Sequence, residues 1–271
     1  MLMAKLLCCC AEGLLAYTDE WQRQFCPLPT PSLLAAEDGL LAVIDVSERL
    51  LWMNELLVPV DSGAECLLLW HGRPLVLSGD TDCLTMLDPC TGSPMFLTPA
   101  GVYPQDMCLL PGDRLAVCGG GSGTVLILQL PELTLLQTFS LPGCVQRAAW
   151  HNGRLYALCT VENDALCTLL CRIHPSSGRY EALCTLPGLP GALHADRLLW
   201  IAAGDSVYQL RRADARPVRL CGGLGLVRHI CASGHRVILS DPALDGVYLL
   251  ESRTPPQQLL TGGVGQALFT S

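Results

Sequence analysis

Between Asp106 and Gly143, four short apolar runs alternate with three turn clusters, reading DMCLL, PGD, RLAVC, GGGSG, TVLILQL, PEL and TLLQTFSLPG. No run reaches three helical turns before Gly, Pro, Asp or Ser interrupts it, so the unit reads as four strands and their turns. A unit that recurs every few tens of residues cannot bury its apolar face alone, and it restricts the chain to repeat architectures.

The unit recurs along the chain. A turn between first and second strands appears as Glu37-Asp38-Gly39, His71-Gly72-Arg73, Pro111-Gly112-Asp113-Arg114 and His151-Asn152-Gly153-Arg154. It returns as Ala195-Asp196-Arg197 and Ser233-Gly234-His235-Arg236. Glycine or aspartate at the tip suits hairpin turns that need positive φ. The spacing is about 33 to 43 residues, that of a four-stranded propeller blade. A second marker, between third and fourth strands, reads Asp88-Pro89-Cys90-Thr91-Gly92 and His174-Pro175-Ser176-Ser177-Gly178, with weaker forms at Pro131-Glu132-Leu133, Ala213-Asp214-Ala215 and Ser252-Arg253-Thr254-Pro255. A third closes the unit: Leu141-Pro142-Gly143, Leu186-Pro187-Gly188, Cys221-Gly222-Gly223 and Thr261-Gly262-Gly263.

The two ends fit the same cycle. Ala4 to Thr30 supply second, third and fourth strands without a first, and Gln266 to Thr270 supply a first strand with nothing after it. The expectation is therefore one all-β domain over residues 1–271: a seven-bladed β-propeller of four-stranded antiparallel blades, the C-terminal strand completing the N-terminal blade. Closure of this kind removes exposed sheet edges. Six blades is the alternative, because the turn before Leu198 is degenerate.

The Asp-Pro-x-Thr-Gly turn, the Leu-Pro-Gly closures and the alternation RLAVCGG…TVLILQL resemble the YncE-like, or YVTN-type, seven-bladed propellers over nearly the whole chain. That family's Val-x-Asp before the turn survives only partly: Met86-Leu87-Asp88 is close to it, whereas Leu128-Gln129-Leu130 departs from it. A Trp-Asp signature with Gly-His is absent, which disfavours a true WD40 protein.

Composition bounds the partners. A formal charge of −8 with a single lysine, Lys5, and no basic run argues against nucleic acid and against an anionic membrane surface. No stretch reaches the roughly 18 apolar residues of a spanning helix. Glu12 and Gly13 interrupt the apolar N-terminus, which disfavours a signal peptide and leads to the expectation of a cytoplasmic chain; a bacterial source and a monomer are expected as well. The sixteen cysteines show no Cys-x-x-Cys spacing. Cys66, Cys108, Cys118, Cys159, Cys171, Cys184 and Cys231 lie in apolar runs, where a thiol serves as a small hydrophobe. On a strand, Cys8 and Cys10 would share one face and Cys9 the other. Trp21, Trp52, Trp70, Trp150 and Trp200 read as fillers between blades.

In a propeller the first strand of each blade lines the axis. Aligned on the turn glycine, those strands begin with Ser32; Glu65 and Cys66; Gln105 and Asp106; Gln146 and Arg147; Val227 and Arg228; and Gln266. This is the most polar recurring position in otherwise apolar strands. Glu65, Gln105, Asp106, Gln146, Arg147, Arg228 and Gln266 are therefore the candidate ligand-binding residues of a channel mouth. The carboxylates suit a cation or amine, and the arginines a carboxylate or phosphate. A water-filled channel comes with the architecture whether or not a ligand uses it. Because neither is a core residue, Glu65→Ala and Arg147→Ala are expected to leave stability nearly intact.

The expected function is a non-enzymatic propeller that binds an unknown protein or a small polar ligand, with no cofactor and no catalytic set. The alternative is a hydrolase or lactonase using an axial polar or metal site. For a calcium-dependent lactonase, the donors would be Glu65, Asp106 and Asn152, and Asn152 falls in a turn on the opposite face. Gly119 to Gly123 lacks the lysine and helix of a phosphate loop and reads as a connection between strands. His151, His194 and His229 lie at or near first strands with no carboxylate at a fixed offset.

Overall fold

The computed structural model describes residues 5–18, 23–28, 30–53, 56–212, 216–234, 236–251 and 255–269. Trp21, His235 and the weak turns at 213–215 and 252–254 lie outside them.

Seven four-stranded antiparallel sheets form the molecule, six of them from consecutive strands. Their inner strands are Leu33–Glu37, Ala64–Trp70, Pro104–Leu110, Cys144–His151, Pro190–Ala195 and His229–Ser233, in the second to seventh blades. The first blade is shared between the ends of the chain. Its inner strand, Ala267–Phe269, pairs antiparallel with Leu6–Cys10, setting Leu6 opposite Phe269 and Cys8 opposite Ala267. Each inner strand contacts the next, and the series closes on itself. The degenerate turn at Ala195-Asp196-Arg197 does join a complete sixth blade. It lacks a glycine, and the Asp196 carboxylate closes it by accepting the Leu198 N–H at 2.9 Å. Elsewhere the turn residues take the left-handed conformation: Asp38 and Gly39, His71 and Gly72, Asn152 and Gly153.

The core is divided into seven apolar clusters, one at each interface between neighbouring blades. The two middle strands of a blade meet a neighbour on both faces, which explains runs without polar alternation. Leu6–Cys10 and Gly13–Tyr17 are buried at every position, as are Leu199–Ala203 and Ser206–Leu210. The outer strand Arg23–Pro27 is exposed at every position. Cys8 and Cys10 join the cluster facing the seventh blade, and Cys9 the one facing the second. Trp52, Trp70, Trp150 and Trp200 each pack in an inter-blade cluster.

All sixteen cysteines are unpaired. Cys118, Cys159 and Cys171 are buried, whereas Cys66, Cys108, Cys184 and Cys231 are half-buried. Among the described residues, no helix is long and apolar enough to cross a membrane.

Candidate functional site

The seven inner strands converge around an axial cavity of about 410 Å³. Four of them carry a β-bulge at the mouth, where Glu65, Gln105, Gln146 and the pair Gly191-Ala192 are the extra residues. A bulge adds one residue to one strand and re-aims its side chain. At Glu65 and Gln105 this local irregularity brings a polar residue to the cavity while the rest of the strand keeps its apolar faces on the neighbouring blades.

The cavity gathers Glu65, Gln105, Asp106, Arg147, Arg228 and Gln266. Gln146 is the exception: its side-chain amide donates to the Thr160 hydroxyl at 2.9 Å, within its own blade. The second strand of that blade, Arg154–Glu162, is long enough to place Thr160 beside it. Ser32 and Val227 are also outside the lining; the Ser32 hydroxyl donates to the Thr30 carbonyl at 3.2 Å, and Val227 is buried.

Two structural duties emerge from the polar set. An inner strand has no further strand on its axial edge, so its N–H groups need partners. Asp106 supplies one by accepting the Ala148 N–H of the next blade at 3.0 Å, and it also accepts the Cys66 thiol at 3.6 Å. Gln266 supplies another, accepting the Leu34 N–H at 2.8 Å. Arg147 does the converse for carbonyls. Its Nε donates to Gly191 O at 2.9 Å, and its Nη1 to Gln146 O at 2.7 Å and Gln105 O at 3.3 Å. One guanidinium thus ties three inner strands together. This corrects the expectation that Arg147 is dispensable for stability: the contacts lie more than 40 residues apart in sequence, beyond the reach of any local pattern.

Three lining side chains have no such duty. Among the described residues, the Arg228 guanidinium, the Glu65 carboxylate and the Gln105 amide make no side-chain hydrogen bond. Burial lowers the Arg228 pKa, the Arg147 charge lowers it further, and Glu65 opposes both. Burial raises the Glu65 carboxyl against the pull of Arg147 and Arg228, and Asp80 adds to the rise. Asp106 is also raised by burial, against the Arg147 charge and the N–H groups of Ala148 and Met107. The mouth therefore holds two cations and two carboxylates within electrostatic reach of one another, without a direct ion pair among them in the described residues.

Below the mouth lie Cys66, Cys108, Trp150, His194 and His229. Burial, with the charges of Arg147 and Arg228, brings the His229 pKa down to about 3, so the ring is neutral. Burial lowers His194 as well, against Asp196. Cys108 and Trp150 were not expected in the channel; for Cys108, two residues beyond Asp106 on the same strand, alternation is the signal that places it there. His151 points elsewhere, its Nε2 2.9 Å from the Asn152 amide. Among the described residues, no three His, Cys, Asp or Glu side chains converge closely enough to ligate a metal.

The loops around the mouth are close-fitting. A Cβ on Gly120 would lie 2.6 Å from Tyr103 O and 2.7 Å from Gln105 Cγ, so the glycine-rich turn is a backbone wall behind Gln105. The same face carries exposed apolar side chains: Val102, Tyr103, Leu166, Leu189 and Leu244 lie on loops or strand ends beside the mouth.

No protein-family model matches the chain, and no curated protein matches it in sequence. Solved structures do match in shape. A protein from Lactobacillus plantarum has a TM-score of 0.74 at 10% identity, covering 99% of this chain and 100% of that one. A Bacteroides fragilis protein provisionally assigned as a 6-phosphogluconolactonase has a TM-score of 0.73 at 9% identity, with coverage of 99% and 98%. The WD40 β-propeller domain of Doa1 has a TM-score of 0.69 at 12% identity, with coverage of 88% and 86%. The shared property is the propeller fold. At these identities it carries no activity, and the site must be read from its own chemistry.

Proposed function

We propose that this protein is a non-enzymatic binding propeller that takes a small polar ligand at the axial mouth, with the surrounding face open to a protein partner. One observation carries this reading. The side chains of Arg228, Glu65 and Gln105 converge on a cavity of about 410 Å³ without hydrogen-bond partners among the described residues, while their neighbours Asp106, Arg147 and Gln266 are committed to backbone groups. Neighbouring groups hold the wall in place, so the free groups are presented on a rigid frame. The apolar rim of Val102, Tyr103 and Leu189 supports a partner approaching the same face. The turn and closure motifs favour placement in the YncE-like group, and sixteen unpaired thiols favour a reducing compartment.

The test is a thermal-shift screen of small polar compounds against the parent and Arg228→Gln. The reading requires at least one compound that raises the melting temperature of the parent and not of the variant. A screen in which nothing acts through Arg228 rejects it.

A second reading rests on the raised Glu65 carboxyl beside two arginines. A lactone bearing a phosphate would meet Arg147 and Arg228, with Glu65 placed to activate water. Hydrolysis of 6-phosphogluconolactone above the spontaneous rate, lost in Glu65→Gln, would favour this reading over the first.

A further inference from the structure

The unpartnered groups at the mouth differ in sign, and that narrows the ligand. On the donor side stand the whole Arg228 fork, Nη2 of Arg147, and the Gln105 amide. Arg147 is held by Nε and Nη1, so its remaining N–H groups are fixed in direction. On the acceptor side the Glu65 carboxylate is the one charged group left open, beside the neutral Gln105 amide oxygen, because Asp106 already accepts the Ala148 N–H and the Cys66 thiol.

A simple anion would satisfy the arginines but would meet Glu65, and a simple amine would pair with Glu65 but face two guanidiniums. Like charges at this range in a partly desolvated site each cost more than they would in water. Only a molecule carrying both signs satisfies all the free groups. A carboxylate fits the planar guanidinium fork in a bidentate pair, and an ammonium a carbon away fits a single carboxylate. Below them, Ala148, Ala192, Leu68 and Trp150 give an apolar wall for a side chain. The volume is in the range of small-molecule sites.

Building on the channel-mouth reading, we propose that the ligand is a zwitterionic amino carboxylate, a free amino acid or a close analogue. Its carboxylate sits on Arg228 and Nη2 of Arg147, and its ammonium on Glu65. No bond is made or broken; the site binds and releases.

The experiment is isothermal titration of the full-length protein with each standard L-amino acid. The best binder is then compared with its analogue lacking the amine, its analogue lacking the carboxylate, and inorganic phosphate. The expected result is binding of at least one amino acid, with each truncated analogue weaker by about tenfold or more, a difference of about 1.4 kcal/mol. Arg228→Gln should weaken the amino acid by a similar factor. Glu65→Gln should erase the preference over the amine-free analogue while leaving carboxylate binding measurable, and circular dichroism confirms that both variants fold. Equal binding of either truncated analogue, or Arg228-dependent binding of phosphate without any amino acid, overturns the zwitterion assignment and leaves the channel-mouth reading standing. No Arg228-dependent binding of any compound overturns both.

Discussion

Replacing Arg147 with alanine removes the donor for three carbonyls, on Gln105, Gln146 and Gly191, that belong to three different blades. A buried hydrogen bond from a charged donor is worth about 1.5–3 kcal/mol. Channel water can re-satisfy part of each carbonyl, which reduces the loss to about 1 kcal/mol apiece and about 3 kcal/mol together. For a domain of this size that corresponds to a fall in melting temperature of about 6–12 °C. Arg147→Lys keeps a charge but not the fork, and should recover less than half of the loss. Arg228→Ala is the matched control. It removes an equal charge from the same cavity, but its guanidinium makes no hydrogen bond among the described residues, and it relieves like-charge repulsion on Arg147. It should move stability by no more than about 0.5 kcal/mol. Urea unfolding monitored by tryptophan fluorescence gives all three values. If Arg147→Ala and Arg228→Ala are equally mild, the assignment of Arg147 as the tie between inner strands is wrong.

Three further outcomes are expected. Deleting residues 266–271 strips the inner strand from the first blade, along with the Gln266 acceptor for Leu34 N–H, and should abolish the cooperative melt; a truncated chain that melts like the parent contradicts the shared blade. His229 is held at about 3 in the folded protein against an ordinary 6.5, so the folded state takes up fewer protons, and its contribution is whole above pH 6.5 and lost as pH falls toward 3. Going from about pH 7.5 to 5.5 should lower stability by roughly 1 kcal/mol through His229, and by less in His229→Gln, whereas Glu65 and Asp106, raised by burial, act with the opposite sign. Ellman's reagent should label exposed Cys26, Cys90 and Cys144 quickly in the native protein and leave Cys8, Cys9, Cys118, Cys159 and Cys171 unreacted until it unfolds.

The blade cycle was legible because turn chemistry is local. Glycine and aspartate mark the hairpins, and Asp88 marks its turn by accepting the Cys90 and Thr91 N–H groups at 2.7 and 3.0 Å. Ring closure was legible because an unmatched first strand at one end and three unmatched strands at the other have one economical solution. The polar mouth followed from strand alignment alone. The division of labour within it did not. Whether Gln146 faces the axis depends on Thr160, and whether Arg147 is free depends on the Gly191 carbonyl. Both are fixed by how blades are set against each other, which no single blade encodes. The floor was legible only in part: His194 and His229 fall at first strands in the sequence, whereas Cys108 looks like an ordinary member of an apolar run until the axis is drawn.

A high-resolution crystal structure of the protein purified from cells without added ligand would show directly whether the axial mouth is a binding site. Arg147 is expected to be bonded to the carbonyls of Gln105, Gln146 and Gly191, with Arg228 and Glu65 separated by density larger than water. A direct Arg228–Glu65 ion pair closing an axis that holds only water would contradict it.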